Sequence, residues 1–216
     1  MNRGGRNKPK WILASASPRR NEILDRLGLR FRVEPSGVHE PARTGRETPS
    51  QYAVRIACLK AKEVAGRHKS GLVIGVDTIV VLGNSILAKP KNRADARCML
   101  ERLGGRWHEV VSGICLMDCA EQRTRSGFGR SRVHFRRLSA EDIEWYLKTS
   151  EYRDKAGAYG VQGYASLFID RIEGCYFNIV GFPIVVFQQL CRQAGINLIG
   201  ELKPQSPISD LESRIF

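Results

Sequence analysis

The segment Trp11-Ile12-Leu13-Ala14-Ser15-Ala16-Ser17-Pro18-Arg19-Arg20 leaves its part of the chain few ways to fold. A short apolar run gives way at once to small and polar residues, then to Pro18, then to the amphipathic pattern Ile23, Leu24, Leu27. The order reads strand, tight turn, helix. Ser17 suits the N-cap and Pro18 the first helical position. Backbone N–H groups at a helix start attract anions. Arg19 and Arg20 add fixed positive charge at the end where the macrodipole opposes it. A polyanionic ligand would account for that placement, and a solvated surface pair is the plain alternative.

The chain has 216 residues, 42% of them apolar. That length predicts one domain, or one two-lobed domain, with a core that needs neither disulfides nor a structural metal. One globular unit is expected over residues 10–200, with 1–9 and 201–216 as flexible tails. No apolar run approaches a membrane span, and the basic first ten residues lack the apolar stretch of a secretory signal. The six cysteines form no CxxC pair and mostly sit in apolar runs, as small core residues of a protein kept in a reducing, cytoplasmic compartment would. The four histidines show no zinc spacing.

A formal net charge of +13 favours an anionic partner. Its densest patch runs from Arg123 to Arg137 and includes Phe128 and Phe135. Two readings follow, a nucleic-acid surface and a solvated hairpin. With no nucleic-acid fold motif around the patch, the hairpin is favoured.

Thr48-Pro49-Ser50-Gln51 opens a helix as a capping box, and the helix ends near Gly66. Its apolar stripe is Ala53, Ala57, Ala61 and Val64, and Lys60 falls on the same stripe. Such a lysine either snorkels to solvent or reaches into a site. Leu72–Val76 reads as a buried strand that ends at Asp77-Thr78, after which Ile79–Leu82 resumes. A carboxylate between apolar runs is costly to bury unless it is paired or metal-bound. Asp77 is therefore the strongest single candidate for a site, against the alternative of a turn aspartate. Gly83-Asn84 marks a hairpin, a helix runs from about Arg93 to Gly104-Gly105, and strands are expected near Glu109–Met117 and Ser131–Phe135. A capped helix begins at Ser139, and a last helix is expected from Pro183 to Gly195. Between them, Asp154 to Gly163 holds three glycines in its last seven residues, the composition of a ligand wall or of a long surface turn.

Taken in order, these segments resemble the Maf family of nucleoside triphosphate pyrophosphatases. The resemblance spans roughly Lys10 to Gly195. It rests on Ser15-Ala16-Ser17-Pro18-Arg19-Arg20, Glu40, Arg55 to Ala61, Gly75-Val76-Asp77-Thr78, Lys89-Pro90, Asp154 to Gly163 and Asn178 to Pro183. It implies an α/β fold with a mixed sheet and two lobes around a central cleft, similar to inosine triphosphatase, and commonly a homodimer. It implies hydrolysis of a nucleoside triphosphate to monophosphate and pyrophosphate with a divalent cation, Mg²⁺ or Mn²⁺. The expected substrate-binding residues are Ser15, Arg19, Arg20, Lys60, Thr78 and Gln162. Asp77, Glu40 and Lys89 are the expected catalytic residues. Glu40 and Asp77 would hold the metal, and Asp77 would also act as general base.

Thr78 and the run from Lys155 to Gly163 resemble the branch that prefers dTTP and UTP. A second branch, acting on 7-methyl-GTP, tends to carry Gln after the aspartate and Glu where Gln162 stands. Uracil and thymine present acceptor, donor and acceptor along one edge, and the Gln162 carboxamide can give one hydrogen bond and take another. A flipped amide would suit cytosine as well, and specificity for 7-methyl-GTP or ITP stays open beside it. One departure is His39, where the family usually has an acid before the glutamate. If that acid supports the metal, imidazole would shift preference toward Mn²⁺; if the position faces solvent, nothing changes.

Overall fold

The computed structural model describes residues 10–203. One seven-stranded sheet is built from β1 (Trp11–Leu13), β2 (Phe31–Val33), β3 (Leu72–Leu82), β4 (Ser85–Leu87), β5 (Trp107–Asp118), β6 (Arg123–Phe135) and β7 (Ile169–Glu173). The order is β2-β1-β3-β5-β6-β7, with β4 also paired to β3. β1 runs parallel to β2 and β3, and every other pairing is antiparallel. The helices are α1 (Pro18–Arg26), α2 (Pro49–Ala65), α3 (Arg93–Leu103), α4 (Ala140–Lys148), α5 (Tyr176–Val180), α6 (Ile184–Gln193) and α7 (Leu198–Glu201). The fold is the expected mixed α/β arrangement.

The capping box at Thr48 forms in full. Gln51 N–H donates to Thr48 Oγ1 at 3.2 Å and Thr48 N–H to Gln51 Oε1 at 2.8 Å. The α2 stripe of Ala53, Ala57, Ala61 and Val64 is fully buried. Its residues are small because α2 lies almost on the strand backbone. A Cβ at Gly75 would sit 2.1 Å from the Ala57 carbonyl oxygen, and one at Gly113 would sit 2.3 Å from that of Ala53. Glycine is what permits this approach.

Four expectations need correction. Asp77 does not end a strand: β3 runs unbroken from Leu72 to Leu82, paired to β5 in continuous register. The ladder overrides the turn preference of aspartate. β6 starts at Arg123, well before Ser131, because the arginine-rich stretch pairs along β5 from Arg123↔Asp118 to His134↔Trp107. In that hairpin Arg130, Arg132 and Arg136 face Glu109, Glu173 and Asp142, Arg123 lies 3.3 Å from Glu121, and Phe135 is fully buried. Phe135 is thus unavailable for stacking on a base, whereas Phe128 stays exposed with Arg130 over its ring, and the stretch forms the expected hairpin with β5. The Ser17 hydroxyl makes no cap; instead Ser17 N–H donates to Ser15 Oγ at 3.2 Å. Finally, α6 is not the last helix. α7 follows it, the expected boundary at residue 200 falls inside α7, and Lys203 N–H donates to Gly28 O at 2.9 Å. The remainder of the expected tails, residues 1–9 and 204–216, lies outside the described residues.

On one face of the long strands the apolar side chains fall into two clusters. Ile74, Val76, Ile114 and Leu116 pack with Ile23, Leu24, Phe187 and Leu190. Val80, Val110 and Val133 pack with α3 and α4 residues and with Tyr159 and Phe168. Between them sits a directly opposed polar pair, Thr78↔Ser112. With a period of two, Ile74, Val76, Thr78 and Val80 share this face. The polar belt therefore marks the boundary between two lobes.

Candidate active site

The cleft opens where the edge of β3 is bare. β1 pairs with β3 only through Ile74, and β4 begins only at Val80. Residues 75–79 pair with β5 alone, so side chains from both faces reach the gap. A cleft of about 980 Å³ forms there, lined by the turn before α1, by Asp77 and Thr78, by Lys89 and by the segment from Glu151 to Gly163. All nine expected site residues line it. They divide into three groups by what their side chains touch.

The first group is Asp77, Lys60 and Glu40. Asp77 is buried on the α2 face of β3, and Lys60 comes off the α2 stripe to meet it. Lys60 Nζ lies 2.8 Å from Asp77 Oδ1 and 2.7 Å from Glu40 Oε1. Of the two outcomes open for Lys60, reaching into a site is the one realised. Burying Asp77 is tolerable because it is paired, and one ammonium gathers two carboxylates from distant stretches of chain.

The second group is Ser15, Arg20 and Thr78. Arg20 Nε donates to Gly181 O at 2.9 Å, Nη1 to Ser15 Oγ at 2.8 Å and Nη2 to Thr78 Oγ1 at 3.1 Å. Three of its five donors are thus committed to protein, and Arg20 is not the free phosphate arm that its position beside Arg19 suggests. Burial lowers the Arg20 guanidinium to about 10 against the opposing pull of Asp77, so it stays charged at neutral pH. Behind Thr78 the belt continues. Thr78 Oγ1 and Ser112 Oγ are 2.9 Å apart, Ser112 Oγ donates to Asn178 O at 3.0 Å, and Asn178 Nδ2 donates to Val110 O and Ser131 Oγ. Sequence reasoning missed Ser112; its one available signal was a hydroxyl inside the apolar run Val110 to Ile114.

The third group stands at the mouth. Arg19 Nη1 lies 3.5 Å from Asp154 Oδ2. Lys89 and Gln162 are exposed, and neither has an ion-pair or hydrogen-bond partner among the described residues. The Asp154–Gly163 segment forms short 3₁₀ turns and is a cleft wall rather than a free surface loop. Burial raises the Asp154 carboxyl, but Lys155 and Arg19 outweigh it and hold it below its ordinary range.

Chemically, the cleft offers two carboxylates on one cation, uncapped N–H groups at the start of α1, and cations at its rim. Glu40 and Asp77 are hard oxygen donors brought to one point, and they fit a Mg²⁺ ion that takes its remaining ligands from phosphate and water. No cluster of three or more His, Cys, Asp or Glu suited to a metal occurs among the described residues, so the substrate would have to complete the shell. His39 is exposed, which favours the reading in which its replacement of an acid changes nothing.

The profile of the family described as Maf-like protein matches residues 10–194. The chain belongs to the Maf-like protein family. Among its Maf-like relatives is a dTTP/UTP pyrophosphatase of Clostridioides difficile (strain 630), 50% identical over 173 residues, covering 80% of this chain and 89% of that one. A dTTP/UTP pyrophosphatase of Pyrococcus abyssi (strain GE5 / Orsay) is 44% identical over 181 residues, covering 84% of this chain and 94% of that one. Among solved structures, the Staphylococcus aureus Ham1 protein aligns at a TM-score of 0.49 and 15% identity, over 86% of this chain and 99% of that one. No helix among the described residues is long and apolar enough to cross a membrane.

Proposed function

We propose that this Maf-like chain hydrolyses nucleoside triphosphates of the dTTP and UTP class to the monophosphate and pyrophosphate. The observation that carries the reading is Asp77, buried at the bare edge of β3 and held with Glu40 on Lys60. The names of the relatives support the same activity.

A triphosphate carries about four negative charges near neutral pH, which fixed cations must offset. In this reading the N–H groups at the start of α1, left uncapped by Ser17, take phosphate oxygens. Arg19 exchanges Asp154 for phosphate, and Lys89 supplies a further cation. Asp77 accepts the proton of the attacking water as the α–β phosphoanhydride opens, and Lys60 holds its carboxylate in place. A divalent cation, held by Glu40 and Asp77, would neutralise charge developing on the phosphate oxygens. Thr78 and Gln162 read the base, with Thr78 oriented through Arg20 and Ser112. A homodimer and a cytoplasmic location belong to the same reading. Light scattering tests the first and cell fractionation the second.

The test is pyrophosphate release, with Mg²⁺ and with Mn²⁺, from dTTP, UTP, CTP, 5-methyl-UTP, GTP, 7-methyl-GTP and ITP. Release concentrated on dTTP, UTP and 5-methyl-UTP is expected. Release led by 7-methyl-GTP or ITP would keep the reaction and overturn the specificity, and no release from folded protein with either metal would overturn the reaction.

A further inference from the structure

Glu151 is a cleft-lining carboxylate with no part in the phosphate side of the site. Its surroundings are unusual for an acid at the mouth of an anion-binding cleft. It forms no ion pair through its carboxylate among the described residues. Instead Oε2 accepts the backbone N–H of Tyr164 at 2.8 Å, and Oε1 accepts the Tyr146 hydroxyl at 3.3 Å. Tyr146 is itself fully buried, and its single hydroxyl proton is shared between Glu151 Oε1 and Ala158 O, the latter 3.2 Å away. The main chain of Glu151 is tied down too, since Lys155 Nζ donates to its carbonyl at 2.7 Å.

What this carboxylate holds is the turn that carries Gln162. Gly163 N–H donates to Gly160 O at 3.3 Å, closing a four-residue turn with Val161 and Gln162 at its centre. The Glu151 carboxylate is pressed against that turn. A Cβ at Gly163 would fall 2.1 Å from Oε2, and one at Gly160 would fall 2.7 Å from Lys155 Cε. Gly163 thus leaves room for the acid to touch backbone, and Gly160 leaves room for the Lys155 stem. Gln162 is exposed and has no hydrogen-bond partner of its own among the described residues. Its place in the cleft depends on the turn, and the turn is fastened at one end by Glu151.

We propose that Glu151 is the positioning residue for nucleobase selection: by fixing the Gly160–Gly163 turn it sets where the Gln162 carboxamide meets the base. This rests on the reading of Gln162 as a base contact. A carboxylate accepting a backbone N–H is a charge-assisted bond, stronger than its neutral counterpart. Without it a turn between two glycines gains freedom, and an ordering cost then falls on substrate binding.

The experiment compares wild type with Glu151→Ala, Glu151→Gln, Gln162→Ala and Tyr164→Pro. The last removes the N–H that Glu151 accepts, together with the exposed Tyr164 ring and its edge contact with Trp145. Position 164 is the first residue of a short 3₁₀ helix, the helical position that takes proline most readily. Two quantities are read, the ratio of kcat/KM for UTP over that for ribose 5-triphosphate, which has no base, and the inhibition constant of inorganic tripolyphosphate, which has neither base nor sugar. Glu151→Ala and Tyr164→Pro are expected to lower the ratio by about tenfold, mainly through KM for UTP, as for the loss of one charge-assisted hydrogen bond. Tripolyphosphate inhibition should stay within about twofold, and Glu151→Gln, which keeps an acceptor for Tyr164 N–H, should restore most of the ratio.

If Gln162→Ala flattens the ratio while Glu151→Ala and Tyr164→Pro leave it at the wild-type value, the proposal fails and the reading of Gln162 stands. If Gln162→Ala itself leaves the ratio unchanged, that reading fails and takes the proposal with it. Equal weakening of tripolyphosphate and UTP would make Glu151 a general structural residue and also overturn the proposal. Should Glu151→Ala not fold, Tyr164→Pro and Glu151→Gln decide the matter.

Discussion

Asp77→Asn separates the chemistry of the cleft from its binding. Asparagine has the shape of aspartate, so no cavity opens beneath α2, and its Oδ1 can still accept from Lys60 Nζ, now 2.8 Å from the aspartate oxygen. Lys60 also keeps Glu40 at 2.7 Å. The cleft loses one negative charge facing a triphosphate, so affinity should be held or improved. What disappears is the proton acceptor. A positioned general base contributes about 10²–10⁴ in rate, or about 3–5 kcal/mol of barrier. Initial rates of pyrophosphate release at saturating UTP and Mg²⁺ should therefore fall at least a hundredfold on that scale, while KM does not rise and the melting temperature moves by a few degrees at most. A kcat within about tenfold of wild type would refute the general-base role. So would recovery of the rate at high Mg²⁺, because the lost function would then be metal holding rather than proton transfer.

Lys60→Met keeps the aliphatic stem but leaves Asp77 and Glu40 together without their shared cation. Asp77 then loses the contact that holds its carboxylate in place, so kcat for UTP should fall by about tenfold or more, as for the loss of one charge-assisted hydrogen bond, in initial rates of pyrophosphate release. Gly75→Ala drives a methyl into the Ala57 carbonyl and should cost about 1–3 kcal/mol of stability, read from the urea midpoint, with activity falling as α2 and Lys60 are displaced. His108 is buried at 2% exposure, with Nε2 2.7 Å from the Tyr159 hydroxyl, and burial lowers its pKa from 6.5 to about 4. The unfolded chain then binds the proton more readily. The stability this gives is full above about pH 6.5 and is lost as pH falls toward about 4, by about 3 kcal/mol. Urea midpoints at pH 7.5, 5.5 and 4.5 should converge between wild type and His108→Gln at high pH and diverge in their slope with pH below it.

Local signals in this chain were legible where the competing physics was local. The Thr48 box, the α2 stripe and the hairpin turn at Gly83-Asn84 depend on residues a few positions apart, and all three form as expected. Asp77 was legible for a different reason: a carboxylate in an apolar run demands a partner, and Lys60 on a small-residue stripe is an equally costly placement, so each pointed to the other. What could not be read was the continuity of β3. Whether aspartate turns the chain or stays in the ladder depends on β5, which supplies partners from Asp118 to Glu109. The same holds for β6, where alternating arginines look like a charged surface until Glu109, Glu173 and Asp142 are brought opposite them from three other elements.

The division of labour among the cations follows from the same geometry. Arg19 and Arg20 are adjacent in sequence, yet they face different tasks. Arg20 turns inward, and its contacts join the turn before α1, the centre of β3 and the end of α5, residues as far as 161 positions apart. A guanidinium so committed is a rigid strut, and its rigidity is what lets Thr78 present a fixed hydroxyl at the boundary of the two lobes. Arg19 stays at the mouth on an acid it can release. The charge available to meet a triphosphate is therefore far smaller than a net +13 suggests. In the proposed reading it is concentrated in Arg19, Lys89 and the start of α1, while Lys60 and Arg20 hold Asp77, Glu40 and Thr78 in position and Lys155 is bound to Asp154 and the Glu151 carbonyl. In the proposed reading the positive charge still to be added at the centre is the divalent cation that the two carboxylates on Lys60 would hold, and Lys60 keeps those carboxylates together to receive it.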